Sequence, residues 1–365
     1  MRRAVTTLHK YMSLLIGGLL LMLGITGSLL VFSEAIDEIR NPEVLRVAAG
    51  QEPLPVSSML AAVRAAYPND RVTRIHLPQT GHDSLECWLD DQFGGRKVYV
   101  NPFTGSVLGE RVVKQTITGW LFLLHSELLS GMTGKLVQAI AGICALMVLL
   151  TGFYSWWPGI SKLSGALKVR SKRWGPKRFL ELHGIIGAVL LLPLALVAVT
   201  GLVMVQNKEV ERFINSVGPD RPAVRRLLEV GGSLDEALTR LTRATGMQPT
   251  YVAFGGDDTL RVRLRERDER HRTGTSVAIV DLRSGQAEVV RGADSTFGTR
   301  AIRASYVLHT GAWAGTAGRA TTFLSGIAIL VLAATGFYVW AFKTRRSVAG
   351  VRASEDTSKS VTFRP

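Results

Sequence analysis

The 365-residue sequence predicts an α-helical membrane protein: a bundle of four transmembrane helices built from two parallel repeats, with two small α+β domains on the outer side. Three observations lead there. Residues 11–32, 136–157, 179–205 and 320–342 are nearly free of charge, and each run can cross a hydrocarbon core of about 30 Å at about 1.5 Å per helical residue. The chain matches itself when one half is set on the other. Lysine and arginine gather at one set of segment ends. Composition alone, 47% hydrophobic and 20% charged, would suit a membrane or a large soluble protein, so the distribution decides.

The elements follow in order. The first span, within residues 1–33, is preceded by Arg2 and Arg3, as a signal peptide would be; its length and its end in Phe32-Ser33-Glu34, without an A-x-A site, favour a retained helix. Residues 34–118 read as the first outer domain, with a helix over 55–67, strands over 72–77, 84–89 and 96–100, and a turn at Asn101-Pro102-Phe103-Thr104-Gly105. Residues 119–158 hold a short interfacial helix over 120–129, anchored by Trp120, and then the second span. The loop 159–178 carries Lys162, Lys168, Arg170, Lys172, Arg173, Lys177 and Arg178 with no acid, which marks it as cytoplasmic.

The third span lies in 179–207. The second outer domain, 208–303, has a helix over 234–245, strands near 250–254, 259–265 and 276–280, and a turn at Ser284-Gly285. Residues 304–343 repeat the interfacial helix, over 306–313, and the span, and 344–365 form a tail. Arg2, Arg3 and Lys10 at one end and Lys343, Arg345 and Arg346 at the other place both termini in the cytoplasm. Most of the net charge of +15 is thereby assigned to orientation and not to nucleic-acid binding. In the second outer domain Arg261, Arg263, Arg265, Arg267, Arg270 and Arg272 read first as the solvated face of a strand, with attraction of an anionic ligand as the sharper alternative.

Setting His9 on His183 brings Leu20 onto Leu194 and Thr26-Gly27 onto Thr200-Gly201 without a gap. Setting His125 on His309 brings Gly134 onto Gly318, Lys135 onto Arg319, Gly142 onto Gly326, and Thr151-Gly152-Phe153-Tyr154 onto Thr335-Gly336-Phe337-Tyr338. The first and third spans run outward and the second and fourth inward, so the repeats are parallel and equivalent residues share a depth. His9 and His183 can then meet near the cytoplasmic face, and His125 and His309 near the outer face.

An isolated interfacial histidine has a bland explanation as a snorkelling or capping residue, and for any one of the four that explanation stays open. Four at matching places, beside apolar cores that carry essentially no other titratable group apart from Lys10, point to metal. Zinc asks for three or four N or S ligands, whereas each face offers two histidines; His125-Ser126-Glu127 lacks the H-E-x-x-H spacing. Two axial imidazoles on a flat apolar disc between closely packed helices is what a haem requires. Gly17, Gly18, Gly24, Gly142, Gly187 and Gly326 supply small-residue surfaces for helix or macrocycle packing.

In an unbroken helix His125 would lie about 18 Å beyond Val137, so Gly131-Met132-Thr133-Gly134 is expected to break the helix and bring His125 back to the rim. Lys135 and Arg319 could then pair with haem propionates at the outer site, and Arg2, Arg3, Lys10, Lys177 and Arg178 at the inner one. Cys87 and Cys144 lie in different elements, and no C-x-x-C-H for covalent haem is present.

Four stretches of the chain resemble the PepSY-associated transmembrane helix family of bacterial inner-membrane proteins: LHKYMSLLIGGLLLMLGITGSLLVF at the start, YVNPFTGSVLGE closing the first outer domain, residues 120–129, and TGFYSWWPG. The resemblance runs to about residue 348. It implies two periplasmic PepSY-like domains and two b-type haems (haem b) whose iron is held axially by His9, His183, His125 and His309. Family members that act as siderophore reductases imply an oxidoreductase that reduces ferric iron in a siderophore complex at the periplasmic face of the inner membrane.

No glycine-rich dinucleotide motif appears, so the expected electron donor is a separate cytoplasmic reductase, a soluble carrier or quinol. Catalytic side chains stay unassigned. The alternative is a non-enzymatic membrane module whose PepSY-like domains bind or restrain a periplasmic protein partner; a haem sensor or haem-handling protein is a third reading. The remaining expected partner is the lipid bilayer, with no nucleic acid.

Overall fold

Apolar helices and a β-sheet segregate into two units of this computed structural model, which describes residues 1–50, 52–89, 95–219, 222–256 and 258–361, without the side chains of 346–361. Residues 362–365 of the expected tail lie outside the described residues. In chain order the helices are α1 (Arg2–Leu30), α2 (Ser33–Arg40), α3 (Pro42–Leu45), α4 (Val56–Ala66), α5 (Ile117–Glu127), α6 (Gly131–Trp156), α7 (Leu163–Ala166), α8 (Pro176–Val189), α9 (Leu191–Val205), α10 (Asn207–Val217), α11 (Leu234–Thr245), α12 (Phe297–His309) and α13 (Gly315–Val361). The strands are β1 (Val72–His76), β2 (Leu85–Leu89), β3 (Arg96–Val100), β4 (Val107–Val112), β5 (Arg226–Glu229), β6 (Gln248–Phe254), β7 (Thr259–Arg265), β8 (Ser276–Asp281) and β9 (Gln286–Val290).

The helical unit comprises residues 1–28, 136–202 and 320–365. Arg2–Leu30, Gly131–Trp156 and Ala312–Arg345 are each long and apolar enough to cross a membrane, and α8 with α9 passes the same test only as a pair bent by 62°. Pro193 explains the bend. It has no N–H for the Val189 carbonyl, and its ring crowds that carbonyl, so the helix breaks between Val189 and Leu191. The aligned residue in the first half is Leu19, and α1 runs unbroken. Close packing between α1 and α13 comes from Gly24, where a Cβ would stand 3.1 Å from the Gly326 carbonyl oxygen, and from Ser28, whose hydroxyl donates to the Phe323 carbonyl at 3.2 Å.

The third span carries an acid near its start. Glu181 in α8 accepts from the Arg170 and Ser171 backbone N–H groups at 3.0 Å and from the Ser171 hydroxyl at 2.9 Å, so it ties the basic loop to the helix. Arg2 donates to the Ser155 and Trp157 carbonyls at the C-terminal end of α6, where a cation complements the helix terminus.

The second unit comprises residues 29–135 and 203–319. Its strands, expected as two domains, form one antiparallel nine-stranded sheet in the order β4-β3-β2-β1-β6-β7-β8-β9-β5. The join is β1 against β6, with Arg74 opposite Ala253, Ile75 opposite Val252 and His76 opposite Tyr251, so the two halves cover each other's exposed strand edge. α4 and α11 bury Met59, Leu60 and Val63 and Ala237, Leu238 and Leu241 in a core shared with Ile75, Cys87, Val98, Val252 and Val262.

α4 has no cap of its own, and α11 supplies one: Asp235 Oδ1 accepts from the Val56 N–H at 2.7 Å and the Ser57 N–H at 3.3 Å. The expected strands and both domain helices agree with the sequence reading within a few residues. β4, β5 and β9 were not expected. β4 and β5 are edge strands, and the glycine and charges of Val107-Leu-Gly-Glu-Arg-Val and the charged ends of Arg-Leu-Leu-Glu mask their pattern.

Candidate paired-histidine sites

His9 on α1 and His183 on α8 come together with ring centres 6.2 Å apart, and His125 on α5 and His309 on α12 do the same at 6.2 Å. Two imidazoles sharing one metal at about 2.0 Å per bond, each nitrogen about 1.15 Å from its ring centre, have centres about 6.3 Å apart. A direct N–H···N hydrogen bond of about 2.9 Å would bring them to about 5.2 Å. Both separations are wider than a direct hydrogen bond between the rings would set and would leave room for a shared metal.

The hydrogen bonds of the first pair fix which ring nitrogen keeps its lone pair. His9 Nδ1 lies 3.0 Å from the Val148 carbonyl, which can only accept, so Nδ1 carries the proton and Nε2 keeps its lone pair. His183 Nδ1 lies 3.0 Å from Thr335 Oγ1. The Thr335 hydroxyl spends its proton on the Val331 carbonyl at 2.7 Å, so it accepts from Nδ1–H and again leaves Nε2 free. Thr151 does likewise, donating to the Met147 carbonyl at 2.6 Å with its oxygen 3.4 Å from His9 Nδ1. Partners of this kind fix the orientation and tautomer of a histidine that binds a metal.

The glycine of each Thr-Gly pair makes room for the ring. A Cβ at Gly152 would stand 2.8 Å from His9 Cε1, and one at Gly336 would stand 3.3 Å from His183 Cε1. The sequence displays Thr-Gly-Phe-Tyr twice, yet its role as the seat of the histidines emerges only when the neighbouring helices are in place.

The second pair depends on two helix reversals. α5 ends with Leu128 and Leu129 in left-handed conformation, φ 49° and 56°, and α6 begins at Gly131; α12 ends at His309, with Gly311 and Gly315 at positive φ before α13. The break expected at 131–134 thus lies at 128–131, because Gly134 is needed inside the first turn of α6. A Cβ there would overlap the Glu127 carbonyl oxygen, and one at Gly318 would overlap the aligned Gly311 carbonyl oxygen.

Each of these short helices is also held from the side. Asp37 of α2 accepts from Thr118 at 2.9 Å and pairs with Arg111 at 2.7 Å, and Glu211 of α10, at the offset that takes His9 to His183, accepts from Thr299 of α12. Lys135, expected near propionates, pairs with Glu127 at 3.0 Å, and Arg319 lies 3.9 Å from Glu34.

Among the described residues no group of three or more His, Cys, Asp or Glu converges as a metal site. Cys87 is buried in the sheet core, and burial pushes its thiol up to about 12.

A helical, apolar unit joined to a sheet unit, with histidines paired in each, defines a membrane protein of mixed α and β structure. The sequence profile described as PepSY-associated TM region matches residues 6–343, and the chain belongs to that family. None of the curated proteins compared with it matches.

Proposed function

We propose that the chain is a four-span inner-membrane protein of two parallel repeats, with both termini cytoplasmic and the sheet unit periplasmic, that carries electrons outward to ferric iron in a siderophore complex. The observation that carries this reading is the duplicated 6.2 Å histidine pair, one in each unit. The two-repeat reading is supported by contacts that recur at aligned positions: Thr151 and Thr335 at the histidines, Gly134 and Gly318 at the reversals. Orientation rests on the basic loop 159–178 and the basic chain ends.

Haem b bound at each pair would supply reversible one-electron transfer. The chain's own part is to present the imidazoles of His9, His183, His125 and His309, to fix the tautomer of the first pair through Val148, Thr151 and Thr335 so that Nε2 keeps its lone pair there, and to keep water from the first pair with apolar helices. Electrons enter from a separate cytoplasmic reductase, a soluble carrier or quinol.

The test is the dithionite-reduced minus oxidised spectrum of detergent-purified protein with pyridine haemochrome quantitation, beside His9→Ala and His309→Ala. About two haems per chain, with each variant losing one, supports the conduit. A colourless protein after haem-replete expression would sink it and favour a module whose periplasmic sheet binds a protein partner.

A further inference from the structure

The sheet unit carries a second cluster of chemistry away from the histidine pairs. Along β7, Leu260, Val262 and Leu264 point into the core, so Arg261, Arg263 and Arg265 share the opposite face. Arg265 is engaged, donating to Gln79 Oε1 at 3.0 Å and to the Arg272 carbonyl at 3.2 Å. Arg263 and Arg303 of α12 are half-buried and each has one neutral partner, the Gly274 carbonyl at 3.2 Å and the Ser295 hydroxyl at 2.8 Å. Among the described residues no carboxylate forms an ion pair with Arg261, Arg263 or Arg303. His271 stacks on Tyr306, one turn beyond Arg303, with ring centres 4.8 Å apart, which seats α12 against this region.

Burial and the charges of Arg263 and Arg261 lower the Arg303 guanidinium to about 10, although Glu211 and Glu269 act the other way. Burial and the Arg263 and Arg303 charges hold His271 down to about 4, so it is neutral at pH 7. Arg261 is exposed, but the half-buried Arg263 and Arg303 bring like charges partly out of water, which is costly unless an anion joins them. The same region holds a second unmet demand: Glu269 Oε1 is buried with no hydrogen-bond donor.

We infer that Arg261, Arg263 and Arg303, with Glu269, form a binding site for a soluble hydroxycarboxylate, the carboxylates meeting the guanidinium forks and the hydroxyl donating to Glu269 Oε1. Arg303 lies six residues before His309 on α12, about 9 Å along the helix. The site itself does not rest on the haem reading, and binding can be read on protein with or without colour.

The experiment is calorimetric titration of citrate, and of tricarballylate, which has the three carboxylates without the hydroxyl, into the full-length protein in detergent. Citrate should bind, tricarballylate several-fold more weakly. Arg303→Gln and Arg263→Gln should each weaken citrate at least tenfold, Arg261→Gln a few-fold, and the exposed Arg267→Gln not at all. Where Arg303→Gln fails to fold, Arg261→Gln and Arg263→Lys decide. No heat with wild-type protein, or wild-type affinity in the cluster variants, would overturn the site. Citrate binding confined to haem-depleted protein would also overturn it, assigning the arginines to haem propionates instead.

Discussion

Replacing Thr335 by Val keeps the side-chain volume and removes the acceptor that His183 Nδ1–H meets at 3.0 Å. Outer-shell partners of ligand histidines are worth about 10- to 100-fold in metal affinity, or about 1.4–2.7 kcal/mol. The lower end applies here, since the Leu332 carbonyl also faces the ring and takes over part of the bond. Thr151→Val supplies the internal control: His9 Nδ1 already has the Val148 carbonyl at 3.0 Å and Thr151 only at 3.4 Å, so the loss there should be about two- to threefold. The assay is haem retention at the first pair, read in a His309→Ala background so that the second pair is silent. Equal retention in both threonine variants, or a larger loss in Thr151→Val, would refute the assignment of Thr335 as the acceptor that fixes His183.

Other outcomes follow from the sheet unit. Gly134→Ala or Gly318→Ala forces a Cβ into a backbone carbonyl and should abolish the second pair's spectrum while leaving the first, as measured on the purified variants. Asp235→Ala leaves the α4 N-terminus uncapped and should cost about 1 kcal/mol in denaturant melts, with Asp235→Asn recovering most of it. His76 and His271 have folded pKa values held down to about 4 by burial first, against 6.5 when unfolded, so the unfolded chain binds more protons between those limits. Stability should be complete above about pH 6.5 and fall by about 1 kcal/mol per histidine, after allowance for solvent screening, as pH drops toward 4; a flat melting temperature across that window would contradict it.

The histidines could be read from the chain because a polar residue at the same place beside two aligned apolar runs stands out against a quiet background. Their tautomer could not, since it depends on Val148, Thr151 and Thr335, which are more than a hundred residues away in sequence. The helix reversal was legible as a length constraint, but its place was set by Leu128 and Leu129 adopting positive φ, a conformation that leucine composition does not announce. The domain strands followed from alternation. Their fusion into one sheet did not, because nothing local distinguishes a β1 edge that will face solvent from one that will meet β6.

On the two-repeat reading, the two members of the first pair are supported unequally. His9 lies near the start of a continuous 29-residue helix, whereas His183 lies on a 14-residue segment that ends at the Pro193 bend. From Val189 back to His183 is six residues, a lever of about 9 Å, so a change of only about 10° at the bend would carry the ring about 1.6 Å. That exceeds what metal–nitrogen ligation tolerates by several-fold. Thr335 and Gly336 therefore have more to do for His183 than Thr151 and Gly152 have for His9. The shorter Thr335 hydrogen bond, 3.0 Å against 3.4 Å, lies on the side where the lever needs it.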